Sequence, residues 1–172
     1  GKRLFAAADC TGHGVPGAFM SVLGSSLLNE IVNKQGISNP GQILDRLREE
    51  IIRSLRQTGG DGELRDGMDI SLCCIDEESG QIQMAGANNP VCVVTDGVMT
   101  EFEADKMPVG VYAVATEGFR THTAPYKKGS MLYLFSDGYA DQFGGPKGKK
   151  FKYKQLGDIL LSIQERSMVD QK

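Results

Sequence analysis

The chain has 172 residues, with 19 lysines and arginines against 22 aspartates and glutamates, a net charge of −3. The length suits one ordinary domain. A composition of 40% hydrophobic and 24% charged residues excludes a disordered chain, and the near-balanced charge gives no general drive toward nucleic acid or an anionic membrane. No continuous apolar run approaches the roughly 18 residues of a membrane span. Glycine is in excess, 22 of 172 residues, without the period of collagen. Tight turns, or backbone held close to a ligand, are what such an excess implies.

Residues 3–8 read as a short buried strand. The chain opens on Gly1, without an initiator Met or a signal-peptide pattern, and enters this strand at once. That start predicts a domain cut from something longer. Asp9 to Pro16 form a glycine-rich turn. Phe19, Leu23, Leu27 and Ile31 then recur at helical spacing, with Met20 and Leu28 widening the stripe and Pro16 near its start. A second helix opens at Asn39-Pro40, carries Leu44, Leu47, Ile51 and Leu55, and ends at Gly59-Gly60. After a polar loop from Asp61 to Gly67 the pattern changes to strands: 70–75, 81–87, 91–95, 98–103, 119–123 and 131–135. Asp96-Gly97 suits a type I′ hairpin turn. Residues 156–163 read as a last helix. Helices segregated from hairpins predict an α+β layered fold in a single domain spanning 1–172.

Cys10, Cys73, Cys74 and Cys92 lack metal-finger spacing, and the neighbours Cys73 and Cys74 face opposite sides of a strand. Free thiols are expected, which favours a cytoplasmic location.

The densest signal is Asp9-Cys10-Thr11-Gly12-His13-Gly14-Val15-Pro16-Gly17. Gly12, Gly14 and Gly17 match a dinucleotide fingerprint, but a second helix follows instead of a second parallel strand, and no Gly-Lys-Ser/Thr follows either. Asp9, at the end of a strand beside bare backbone, suits a hard cation such as Mg²⁺ or Mn²⁺; capping its own turn is the plainer alternative. Asp137 repeats the design: an apolar strand, then Ser136-Asp137-Gly138, with Asp141 four residues later. The nucleophile elbow G-x-S-x-G is absent around Ser136. Two strand-end aspartates from distant parts of the chain can converge on one metal site.

With Thr11-Gly12-His13-Gly14 and Pro16-Gly17-Ala18 after Asp9, and with Ser136-Asp137-Gly138, the chain resembles the metal-dependent PPM (type 2C) serine/threonine phosphatases, in particular their bacterial SpoIIE-like branch. The resemblance runs from about residue 3 to 143 and includes Ala85-Gly86-Ala87-Asn88-Asn89-Pro90 and Met107-Pro108-Val109-Gly110. It implies a four-layer α-β-β-α sandwich of two antiparallel sheets flanked by helices. It implies two Mn²⁺ or Mg²⁺ ions, with a weaker third, and a bridging water that attacks the phosphoryl group in line. On this resemblance Asp9 bridges the ions, the Cys10 carbonyl holds one, Asp137 binds the other, Asp141 serves the third, and Asp69 faces the same site. Gly12 and Gly14 fall to the substrate phosphate. His13 is either the general acid or a turn histidine bonded to backbone, and His122 has no role.

Two acidic motifs of the family, one before the first glycine turn and one on a last strand, have no counterpart in these residues, so a domain incomplete at both edges is expected. The acidic residues Asp61, Glu63, Asp66 and Asp69 fail the calcium-loop pattern at Arg65 and Asp66. Lys147, Lys149, Lys150, Lys152 and Lys154 form either a solvated face or a patch that steers an acidic phosphoprotein. The resemblance implies a phosphoprotein substrate of the anti-sigma-factor-antagonist kind, a sensory module upstream in the parent chain, and room for a homodimer. The competing expectation is a non-catalytic docking domain that keeps the fold.

Overall fold

A computed structural model describes residues 1–60, 66–112, 117–146 and 148–171. Its elements run β1 (Lys2–Cys10), α1 (Gly14–Asn29), α2 (Pro40–Leu55), β2 (Gly67–Asp76), β3 (Gln81–Ala87), β4 (Val91–Thr95), β5 (Val98–Phe102), β6 (Val109–Gly110), β7 (His122–Pro125), β8 (Met131–Leu134), β9 (Phe143–Gly144), β10 (Lys149–Lys150) and α3 (Tyr153–Ile163). The segment Glu30–Lys34 is a π-helical turn that prolongs α1.

Two antiparallel sheets carry the fold. The first runs β1-β2-β3-β7, with β6 also paired to β2; the second runs β5-β4-β8. β9 and β10 form a separate hairpin. Alternation along β2 divides its side chains between two cores. Met68, Ile70 and Leu72 join Ile43, Leu44, Leu47 and Ile51 of α2 and Met20 of α1. Cys73, with Ile82 and Met84 of β3, packs against Val91 and Val93 of β4. α3 touches β5 on the outer side of the second sheet. The layers are therefore helices, sheet, sheet, helix, the α+β sandwich expected from sequence.

Helix α2 follows its local code. Asn39 accepts a hydrogen bond from the Gln42 amide at 3.1 Å and Pro40 occupies the first turn. It ends on Arg56 at φ 54° instead of running to Gly59-Gly60. Asp96 and Gly97 both adopt positive φ, 52° and 76°, as a type I′ turn requires.

Several expectations change. β1 is not a buried strand: it is an edge strand, and Phe5 on it is 44% exposed. In α1 the buried positions are Gly17, Met20 and Gly24, while Phe19 is 75% exposed beside exposed Val15 and Val22. Helical spacing placed Phe19 in the stripe, but the sheet beneath α1 meets the Met20 side of the helix. The strand expected at 119–123 starts at His122; Phe119 instead anchors the core under α2. The unbroken helix Gly14–Lys34 reaches 21 residues and, by length and composition alone, is apolar enough to cross a membrane; here it lies along the first sheet. The cysteines are free, with Cys73, Cys74 and Cys92 buried and Cys10 half-buried. Burial pushes the Cys73 thiol up to about 12. Asp61, Glu63, Arg65 and Lys147 lie outside the described residues.

Truncating Leu47 to Ala should cost about 2–5 kcal/mol in urea denaturation, the usual loss for a fully buried leucine. Phe19→Ser should change stability by less than about 0.5 kcal/mol; an equal loss in both variants would contradict this packing of α1.

Candidate active site

The antiparallel register of β1 and β2 sets Asp9 directly opposite Asp69. Both occupy odd positions, and on β2 that is the face that carries Cys73 toward the second sheet. The pair lies at the end of the strands, and the chain beyond it is locked. The Thr11 amide donates to the Gly67 carbonyl at 3.0 Å. The Thr11 hydroxyl donates to the same carbonyl at 3.1 Å and accepts from the Gly67 amide at 2.8 Å. From there the glycine turn swings into α1. Gly12 and Gly14 hold φ of +88° and +65°, which residues with a Cβ adopt only under strain. Gly17 must be bare because a Cβ there would stand 2.8 Å from the Gly12 carbonyl oxygen. Half-buried Cys10 follows Asp9, and its sulfur accepts a 3.5 Å hydrogen bond from Ser21.

His13 is the N-cap of α1. Its backbone is extended, it is exposed, and its side chain makes no capping hydrogen bond. His122 lies away on β7, with Nε2 3.0 Å from the Glu103 carbonyl.

The second aspartate motif comes from the other sheet. β8 pairs with β4, and Asp137 follows its end in a tight turn closed by the Asp141 amide on the Asp137 carbonyl at 2.8 Å. Asp141 is bound to Lys150 of β10 at 2.6 Å. That ion pair ties the β9–β10 hairpin to the aspartate turn.

Electrostatics link these acids. Asp69 is half-buried, and burial raises its carboxyl above the usual range, with Asp137 and Asp9 pushing it further up. A hydrogen bond from the Asn88 amide nitrogen to Asp69 Oδ1, at 2.8 Å, works the other way. The Tyr153 phenol is raised by burial and then by Asp137, Asp141, Asp69 and Glu101. Asp9 thus lies opposite Asp69 in the register, Asp137 acts on Asp69, and Asp137, Asp141 and Asp69 all act on Tyr153. Sequence reasoning had no signal for Tyr153 or for the Asn88 contact.

The donors are carboxylate oxygens and main-chain carbonyls, the set hard divalent ions prefer over softer metals. Their mutual repulsion at Asp69 is what a cation would relieve. Among the described residues no three His, Cys, Asp or Glu side chains stand close enough to enclose an ion by themselves. The chemistry of these donors is of the kind that suits Mg²⁺ or Mn²⁺.

Two layered sheets flanked by helices, with strand-end aspartates around a glycine turn, define the class of the PP2C-type protein serine/threonine phosphatases. The chain is similar to the SiaA-PP2C domain of Pseudomonas aeruginosa, at 26% identity and a TM-score of 0.85 over 99% of this chain and 67% of that one. It is similar also to a structure of the PP2C phosphatase domain with a fragment of the regulatory domain of SpoIIE from Bacillus subtilis, at 17% identity and TM-score 0.70 over 98% and 44%. RsbX in complex with magnesium follows at 17% identity and TM-score 0.59 over 96% and 75%. A comparison with curated proteins gave no significant match. The family profile described as Stage II sporulation protein E (SpoIIE) matches residues 1–171, and the chain belongs to that family.

Without metal, Asp69 ionises less readily in the folded chain than in the unfolded one. Raising the pH through the carboxylate range therefore removes stability, because the unfolded state releases its proton first. In EDTA, Asp69→Asn should melt above the parent at pH 7, and the gap should close near pH 4, about the ordinary aspartate value. A gap independent of pH would contradict this environment for Asp69.

Proposed function

We propose that this domain hydrolyses phosphoserine or phosphothreonine on a regulatory protein in bacterial signal transduction, using two Mn²⁺ or Mg²⁺ ions and room for a third. The observation that carries the proposal is the placement of Asp9 opposite Asp69, with Asp137 close enough to raise the same carboxyl. Asp9, Asp69, Asp137 and the Cys10 carbonyl would hold the ions, and Asp141 the weaker third. When bound, such ions supply a water nucleophile at neutral pH and neutralise charge on phosphoryl oxygens.

The remaining steps fall to the chain's own groups. Gly12 and Gly14 leave backbone amides bare at the N-terminus of α1, where the helix dipole favours an anion; they would receive the substrate phosphate. His13, exposed at that N-cap, is placed to protonate the departing hydroxyl oxygen. Lys149, Lys152 and Lys154 are exposed around the groove beside the β9–β10 hairpin and would draw in an acidic phosphoprotein. An anti-sigma-factor antagonist is the substrate class implied by the family branch. The single domain 1–172 would act in the cytoplasm under a sensory module of its parent chain, as a monomer or homodimer and without nucleic acid.

A second reading, a docking domain that keeps the fold without catalysis, is favoured by one observation: no three of the described side chains enclose an ion. Hydrolysis of p-nitrophenyl phosphate with Mn²⁺ separates the two. Catalysis predicts turnover that Asp137→Asn lowers by more than about 100-fold, beyond the range for residues that only support a metal ligand. No turnover above background in the parent would favour docking, and equal turnover in parent and variant would refute the role given to Asp137.

Steering makes its own prediction. Reversing Lys149, Lys152 and Lys154 to Glu should lower kcat/KM toward an acidic phosphoprotein by about 10-fold at low salt. The rate on p-nitrophenyl phosphate should stay the same, and an unchanged kcat/KM on the protein substrate would rule steering out.

A further inference from the structure

Asn88 stands in the turn between β3 and β4, within the 85–90 segment of the family resemblance, but no role was assigned to it. Its amide nitrogen donates to Asp69 Oδ1 at 2.8 Å. The backbone that delivers it is unusual. Asn88 adopts φ of +59°, a left-handed conformation that asparagine tolerates better than most side chains.

That conformation is held from several directions. The Asn88 amide donates to the Asp105 carbonyl at 2.9 Å, the Asp105 amide donates to the Gly86 carbonyl at 2.9 Å, and Ala87 forms a parallel bridge with Asp105. Asp105 is fixed in turn by Arg120, whose backbone amide and Nε each donate to its carboxylate at 2.7 Å. Gly86 lets the turn close: a Cβ there would stand 2.2 Å from the Asn89 carbonyl oxygen. The neighbouring Asn89 is buried. The side chain of Asn88 is therefore presented by a braced turn.

We propose that Asn88 is a positioning residue for Asp69. It takes up one carboxylate oxygen, fixes the rotation of the group, and leaves the other oxygen for a cation shared with Asp9 and Asp137. The role has the logic of an outer partner that orients a metal ligand, and losing such a partner typically weakens metal binding 10–100-fold. This inference rests on the metal reading of Asp69 given above.

Asn88→Gly is the variant to use, because glycine accepts the left-handed turn and removes only the amide. Mn²⁺ binding is read on the full chain from paramagnetic broadening of backbone amide resonances, which covers weak affinities. Asn88→Gly should weaken Mn²⁺ binding by about 10-fold or more. In an Asp69→Asn background the same change should have no further effect, because the group it positions is gone. A melt in EDTA accompanies each protein to show that it is folded. Equal losses in both backgrounds, or no loss in the parent background while Asp69→Asn does weaken binding, would overturn the role of Asn88 alone. Unchanged Mn²⁺ binding in Asp69→Asn, or no broadening near Asp69 in the parent chain, would overturn the metal reading and this inference with it.

Discussion

The pairing of β1 with β2 puts two carboxylates, Asp9 and Asp69, face to face across adjacent strands. Like charges directly opposite in a sheet destabilise it, and the surrounding structure is arranged around that fact. The Thr11–Gly67 hydrogen bonds keep the strand ends together where repulsion would part them. The Asn88 amide offsets part of the charge on Asp69. Asp137 then arrives from the second sheet and adds to the repulsion. On the proposed function, a divalent cation would relieve this repulsion.

The same register explains how two sheets serve one site. Alternation along β2 sends even residues to the helices and odd residues to the second sheet. Asp69 shares the inter-sheet side, and Asp137 leaves the end of β8 in the sheet opposite. The Lys150–Asp141 ion pair then brings the basic hairpin to the rim of the acidic cluster. Positive charge beside acidic groups is the arrangement on which the proposed steering of an acidic phosphoprotein rests. The chain's membership of the SpoIIE family and its PP2C-type fold are consistent with a phosphatase.

How legible this was depended on the range of the physics. The start of α2 was readable because Asn39, Pro40 and the Leu44-Leu47-Ile51 stripe act within a few residues of one another. The Asp96-Gly97 turn was readable for the same reason. The Asp9 and Asp137 motifs were readable because each pairs an apolar strand with an acid and a glycine. Burial was not. Phe19 and β1 look like core by composition, but exposure depends on what packs across from them, which local pattern does not encode. Lys150 was visible as one charge in a run, without its partner Asp141. Asn88 was visible only as part of a motif, without its contact to Asp69, and Tyr153 gave no signal, since each acts through a residue far away in sequence.

The central claim is that Asp9, Asp69 and Asp137 form one face of a divalent-cation site. Diffraction from crystals soaked in manganese chloride, recorded at the manganese absorption edge, tests it most directly. The account predicts an anomalous peak in contact with the carboxylates of Asp9 and Asp137. A map with no peak at these residues, or with manganese bound only elsewhere, would contradict it.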